Sequence, residues 1–437
     1  MSLEKAREVI RKEAKAIDVG VDEFIKQPMQ KHKSLIEKLF SKHYQLIDGT
    51  DEIFELDLAL WEYEVLSKEE LIKRSAYLKL VDGVETTHFK TCNLQNLEEV
   101  HKNSSFRTKI FFLDGKYSTG YATHSLFPYR GKFHPQLIRA LLNILEIKPG
   151  DVVLDPMAGS STVSVEANLL GIESISVDLS PFCGLMGRVK TLALNLDLKV
   201  LQSIVKEPNE LLAKFNKSKV PDYFVSNGKD EKRAYYEIIL LAFLDSMGFA
   251  NRSSSSIDKL FPRVLERYLA TIRNFQKARQ ELNLKIGESK ILQGSVLNLP
   301  IEDNSVDAII TSPPYSFAID YLKNDQPQLE YLGYDIESLR GEMIGLQGRG
   351  VENKLEVYFD KMNIALKEMQ RVSKKKSPIV IIIGTNDIQT NGVRLETKVI
   401  ELAEKQNLKC ELELVKPIKG LRNTMKNESI LFFANLK

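Results

Sequence analysis

The chain has 437 residues, of which 43% are hydrophobic and 27% charged, and its net charge is +2. That length asks for two or three domains with ample core. The balanced charge excludes an argument for nucleic acid from global charge, so any such argument must rest on a local patch. Cys92, Cys183 and Cys410 are far apart and form no CxxC pair. They point to neither a zinc site nor a disulfide framework, and they fit a reducing, cytoplasmic setting with no metal.

Met1 to Ala16 is charged and helix-like and lacks the apolar centre of a signal peptide. The longest apolar runs, such as Ile379 to Ile383, are strand-length, so no membrane span is expected. Residues 1–110 read as a mostly helical accessory or target-contacting region. Lys33 to Phe40 and Asp51 to Leu66 there have apolar residues at helical spacing. Residues 111–184 change character. His134-Pro135 precedes an amphipathic helix, Gln136 to Leu145. Asp151 to Leu154 reads as a short buried strand running into Asp155-Pro156-Met157-Ala158-Gly159-Ser160-Ser161-Thr162. A helix over Val163 to Leu170 then ends at Gly171, and a strand over Ile172 to Val177 ends in Asp178. This strand-loop-helix-strand unit is the building block of an open, doubly wound parallel sheet.

Residues 185–290 break the alternation and read as a helical insertion, clearest over Ala234 to Leu244 and Arg263 to Leu282. The stretch holds 19 Lys and Arg against 12 Asp and Glu, with aromatics such as Phe215, Tyr223, Phe224 and Tyr268 interleaved. That makes it a candidate for nucleic-acid contact, weighed evenly against a solvated helical face. Over 291–437 the sheet resumes. Strands are expected at Val306 to Ile310, Pro378 to Gly384, Leu412 to Val415 and Ser429 to Phe433, and helices at Glu356 to Val372 and Val393 to Gln406.

Two motifs carry chemistry. The small-residue turn 155–162 lets backbone approach a ligand, and the helix behind it offers free N–H groups to an anionic group such as a carboxylate. Asp178, ending the next strand, can accept hydrogen bonds from both hydroxyls of a ribose. The second motif, Thr311-Ser312-Pro313-Pro314-Tyr315, ends a later strand. Consecutive prolines fix φ and donate no backbone hydrogen bond, so rigid carbonyl acceptors stand beside the Ser312 hydroxyl and a flat tyrosine. Such a set suits an amino group on a planar ring.

Together the two motifs resemble the amino-methyltransferases, the superfamily of N4-cytosine and N6-adenine DNA methylases, with their D-P-F-x-G-S-G-T and [D/N/S]-P-P-[Y/F/W] signatures. Thr-Ser before the prolines is typical of the N4-cytosine enzymes. The likeness extends to Leu126-Phe-Pro-Tyr129-Arg-Gly-Lys132-Phe-His-Pro135, to Asp320-Tyr321, to Tyr358-Phe359 opening the late helix, to Gly384-Thr-Asn386, and to Asn427 through Phe433. It covers about 125–185 and 290–437. Ser161 stands where the family often has glycine, predicting a tighter or differently bent turn, and Met157 replaces the usual aromatic. Ser295 stands where many relatives carry an acid, so either Ser295 or Asn298 reads the cofactor's adenine. The order of the motifs is shared with tRNA guanine-N2 methyltransferases, which keeps RNA open as a substrate.

The resemblance implies a Rossmann-like methyltransferase sheet with a helical N-terminal region and a helical insertion, and S-adenosylmethionine as cofactor. His134, Pro135, residues 155–162, Asp178, Ser295, Val296 and Thr311 would hold that cofactor. Ser312, Pro313, Pro314 and Tyr315 would be catalytic. Cytosine N4 in double-stranded DNA is the first-choice target, with adenine N6 or an RNA amino group as alternatives and a separate restriction endonuclease as a candidate partner. The target base would be flipped out and stacked on Tyr315.

Overall fold

The computed structural model describes residues 3–16, 18, 38–40, 44–47, 53–95, 120–129, 131–217, 231–250, 255–314, 320–345, 347–417 and 427–437. They fall into two compact units. One comprises Met1–Ser125, Phe133–Lys148 and Arg273–Lys285, and the other Leu126–Lys132, Pro149–Ile272 and Ile286–Lys437.

The first unit is mainly helical, as expected, with α1 (Leu3–Ala16), α2 (Ile53–Val65), α3 (Lys68–Arg74), α4 (Thr87–Leu94) and α5 (Pro135–Ile144). It also holds an unexpected antiparallel sheet, ordered β1 (Tyr44–Leu46), β2 (Leu78–Val81), β3 (Val84–Glu85). Strands this short give no alternation to read. Residues 33–37 of the expected helix Lys33 to Phe40 lie outside the described residues.

Within this unit Glu62 on α2 is fully buried. Its two oxygens accept the Ala76 N–H at 3.0 and 3.1 Å, and the Asn143 amide of α5 donates to one of them at 2.6 Å. Burial still pushes its carboxyl up to about 7, because these bonds offset only part of the desolvation. An unfolded chain releases this proton near the ordinary value and the folded chain near 7. Between those limits the folded state holds more proton, so this group's contribution to stability falls as pH rises. Denaturant unfolding is expected to show the wild type losing more stability than Glu62→Gln between pH 5 and pH 8, by about 3 kcal/mol at most. Equal slopes for the two proteins would refute this.

The second unit is built on a seven-stranded sheet of β4 (Val152–Asp155), β5 (Glu173–Asp178), β6 (Ser289–Gln293), β7 (Ala308–Thr311), β8 (Pro378–Gly384), β9 (Leu408–Pro417) and β10 (Asn427–Asn435). Their spatial order is β6-β5-β4-β7-β8-β10-β9. The pairings among β6, β5, β4, β7 and β8 are parallel, and β10 is antiparallel to both β8 and β9. From β4 the chain winds outward through β5 to β6, then returns to β7 on the other side of β4. The order therefore reverses between β4 and β7, which is where open α/β sheets bind ligands, beyond the carboxyl ends of the strands.

The helices in this unit are α6 (Thr162–Leu169), α7 (Pro181–Leu192), α8 (Leu198–Ile204), α9 (Pro208–Lys217), α10 (Glu231–Ala250), α11 (Ile257–Glu281, up to Ile272), α12 (Tyr321–Tyr331), α13 (Ile336–Arg340), α14 (Gly350–Val372) and α15 (Leu395–Lys405). Tyr358, Met362 and Leu366 of α14 and Val399 of α15 share one core with Ile309, Ile379, Ile381 and Ile383 of the sheet. The insertion helices build a second core. Phe215 stacks on Phe243 at 4.8 Å, and Phe261 and Tyr268 are fully buried. These aromatics are therefore core residues and not a surface for bases; Tyr223 and Phe224 lie outside the described residues.

Two expectations need correction. Tyr358-Phe359 does not open the late helix, because α14 starts at Gly350. Its first turns, Gly350 to Glu356, are largely polar and carry little apolar period. β6 was not anticipated: it is an edge strand pairing only with β5, and its side chains are at most half-buried.

Candidate active site

The turn after β4 keeps the geometry its small residues suggest. Gly159 and Ser161 both have positive φ, 48° and 56°. Ser161 thus adopts the left-handed conformation that glycine favours. An L-residue there costs roughly 1–2 kcal/mol. The Ser161 N–H donates to the Ala158 carbonyl at 2.7 Å, and the Ala158 N–H donates to Val177 of β5 at 3.1 Å. Ser160 and Thr162 join hydroxyls at 3.1 Å. A Cβ at Gly187 of α7 would collide with the Ser161 hydroxyl, so α7 packs here only because that side chain is missing. No side chain caps α6, which leaves the N–H groups of its first turn for another partner.

Asp178 lies across this turn. Its Oδ2 accepts the Gly159 N–H at 2.7 Å and its Oδ1 accepts the Ser180 N–H at 2.9 Å. Burial raises its pKa despite both bonds. Gly294 N–H donates to the Asp178 carbonyl at 3.0 Å, which sets the Ser295-Val296 loop beside the β5 end. Ser295 turns its hydroxyl to the Leu297 N–H at 3.3 Å, and Val296 is buried.

Asp155 joins the two motifs. Its Oδ1 accepts the Met157 N–H at 3.2 Å and the Thr311 hydroxyl of β7 at 2.8 Å. The bond to Thr311 spans the point where the strand order reverses. Oδ2 is buried and has no hydrogen-bond partner among the described residues. Burial pushes this carboxyl up to about 7, with the Asp178 charge adding to the effect. Pro313 is buried and Ser312 and Pro314 are half-buried beyond Thr311, whereas Tyr315 and residues 316–319 lie outside the described residues. Pro156, Met157 and Ala158 complete the turn, with Met157 packed on the sheet core. His134 and Pro135 belong to the first unit, where His134 precedes and Pro135 opens α5; they are not among the residues grouped here.

Three residues near this turn were not among the expected site residues. Tyr129 packs 3.5 Å from where a Gly159 Cβ would stand, and it accepts the Cys183 thiol at 3.6 Å. Burial pushes that thiol well up, so it is no thiolate nucleophile. Asp325 of α12, 8% exposed, faces Tyr129. Lys190 of α7 is buried and donates to the Ser160 carbonyl at 3.4 Å. Only Tyr129 had a signal, through its place in the segment before the first motif.

Residues 125–228 match the UPF0020 family, described as an RMKL-like, methyltransferase domain. That match covers about a quarter of the chain, around the turn after β4 and Asp178. It is similar to the type II methyltransferase M.BsoBI of Geobacillus stearothermophilus, 25% identical over 65% of this chain and 63% of that one. It is also similar to the type II methyltransferase M.MjaII of Methanocaldococcus jannaschii, 36% identical over 23% of this chain and 19% of that one. A shorter likeness, 36% identical over 12% of this chain and 16% of the relative, is to the tRNA (guanine(10)-N2)-dimethyltransferase of Methanothermobacter thermautotrophicus. The chain thus spans less than two thirds of the length of these relatives.

The fold and the methyltransferase domain imply S-adenosylmethionine as cofactor, and the residues fit it. Asp178 ends β5 as a ribose acceptor would, the uncapped start of α6 suits the methionine carboxylate, and the orphaned Asp155 Oδ2 is a buried acceptor for a cation. No helix among the described residues is long and apolar enough to cross a membrane.

Proposed function

We propose that this methyltransferase transfers the methyl group of S-adenosylmethionine to the exocyclic amino group of a base in DNA, with cytosine N4 as the target. The observation that carries the reading is the 2.8 Å bond from Thr311 to Asp155. It fastens the Thr311-Ser312-Pro313-Pro314 loop to the turn after β4, so a ring amino group held by that loop would stand next to a cofactor held by the turn. Similarity to two type II methyltransferases over longer stretches than to the tRNA enzyme favours DNA over RNA. A site-specific modification enzyme of this kind would work beside a separate restriction endonuclease.

When bound, the cofactor supplies an electrophilic methyl group on its sulfur. The chain's own residues supply position. Ser312 and the Pro313 carbonyl would accept the two amino hydrogens and draw the nitrogen lone pair out of conjugation with the ring. Tyr315 would stack on a base flipped out of the duplex. Proximity and fixed dipoles then do the work, with no covalent enzyme intermediate.

Incubation with methyl-labelled S-adenosylmethionine and mixed duplex DNA or total tRNA, followed by nucleoside mass spectrometry, tests this. Labelled N4-methylcytosine is expected from DNA and should vanish in a Ser312→Ala, Tyr315→Ala double variant. N6-methyladenine would keep the chemistry and change the base. Label confined to tRNA would overturn the DNA reading.

A further inference from the structure

Two buried carboxylates and a half-buried one belong to one neighbourhood of the second unit. Asp155 ends β4, Asp178 ends β5, and Asp325 sits one turn into α12. The charge of Asp178 is felt by both Asp155 and Asp325. Among the described residues no lysine or arginine pairs with any of the three; Lys190, the buried amine of this region, donates to the Ser160 carbonyl instead. Buried negative groups without counter-charge are costly, and each of the three is held toward its neutral form. A cluster of acids is by itself no site, but here one of its members also presents a fully buried oxygen with no partner, Oδ2 of Asp155.

Asp325 differs from the other two in its origin. It comes from the helix that follows the proline loop, and α12 is firmly started: Asp320 caps it by accepting the Lys323 N–H at 3.0 Å and is itself paired with Arg340 at 3.1 Å. Tyr129 connects it to the cofactor turn. The phenol faces the Asp325 carboxylate, takes the Cys183 thiol, and lies against Gly159. Tyr321, one turn earlier, stacks on the same ring at 6.4 Å between centroids.

We propose that Asp325, oriented by Tyr129, is a further cofactor-binding residue that faces the positive charge of S-adenosylmethionine, whether sulfonium or ammonium. This rests on the cofactor reading of the site. It explains why an acid is tolerated in a buried position on α12 with no basic partner: the partner arrives with the ligand. It also ties cofactor occupancy to the helix that carries the end of the target-binding loop.

The test is calorimetric binding of S-adenosylmethionine and of S-adenosylhomocysteine, which keeps the ammonium and lacks the sulfonium, to wild type, Asp325→Asn and Tyr129→Phe. Thermal unfolding of each variant confirms the fold; Asp325→Asn, an uncharged isostere of an acid already held toward neutrality, should retain it. A tenfold or greater weakening for S-adenosylmethionine in Asp325→Asn is expected, with a smaller one in Tyr129→Phe. Loss confined to S-adenosylmethionine assigns the sulfonium, and equal loss for both ligands assigns the ammonium. Unchanged affinity of Asp325→Asn for both ligands overturns the proposal while leaving the cofactor reading intact. Failure of the wild type to bind either ligand overturns both.

Discussion

Asp155→Asn is expected to weaken S-adenosylmethionine binding by at least about 100-fold while leaving the protein folded. The substitution keeps one oxygen to accept from the Met157 N–H and the Thr311 hydroxyl. It replaces the orphaned, buried Oδ2 with an amide bearing two donors, in a neighbourhood already shaped to receive positive charge. Those donors would face the cation and find no acceptor of their own. The apo protein should tolerate the change, because burial holds this carboxyl near half-protonation at neutral pH. Thr311→Val removes one bond and no charge, so it should cost less, about tenfold. Calorimetry reads both effects. Wild-type affinity in Asp155→Asn would mean that the orphaned oxygen does not face the cofactor.

The second large effect is on stability. Gly287→Ala should destabilise the second unit by about 3 kcal/mol or more. A Cβ at this position would stand on the Ile172 carbonyl oxygen, 2.7 Å from its carbon and 2.9 Å from the Ile172 nitrogen. All three atoms are backbone, so no rotamer change can make room. The segment cannot simply retreat either. The Gly287 N–H donates to the Asn168 carbonyl and the Glu288 carbonyl accepts the Ser174 N–H, both at 2.9 Å, and these bonds bring β6 onto the edge of the sheet. The Ser289 hydroxyl also donates to the Asn168 side chain at 2.8 Å. Denaturant unfolding of the variant against wild type measures the loss. A change below about 1 kcal/mol would show that the β6 edge yields without cost.

The strands, turn and helix that frame the candidate cofactor site were readable because each of their signals is local. A buried strand, a small-residue turn, a helix ended by Gly171 and a strand ended by Asp178 follow one another within about thirty residues, and each local preference agrees with the fold. Thr311 through Pro314 was readable because consecutive prolines after an apolar strand have few other uses. What escaped depends on contacts distant in sequence. Asp325 sits in Tyr321-Leu-Lys-Asn-Asp-Gln-Pro, which looks like an ordinary polar helix until Tyr129 and Asp178 are brought up to it. Lys190 looks like a surface lysine until α7 buries it. Edge strand β6, Ser-Lys-Ile-Leu-Gln, has too little apolar run to separate from a loop. At Ser161 the sequence shows a serine, and only the structure shows that it holds a glycine-like φ.

The bond between Asp155 and Thr311 joins residues 156 positions apart. On a ribosome adding about 5–20 residues per second, the first half of the cofactor site emerges roughly 8–30 s before the strand that completes it. Throughout that interval the turn after β4 can form, but the Asp155 carboxylate lacks its Thr311 partner. Under the proposed function, a nascent chain would hold the cofactor less firmly until β7 has been made. On the same reading, methyl donor and target loop would be held together only once β7 has joined the sheet.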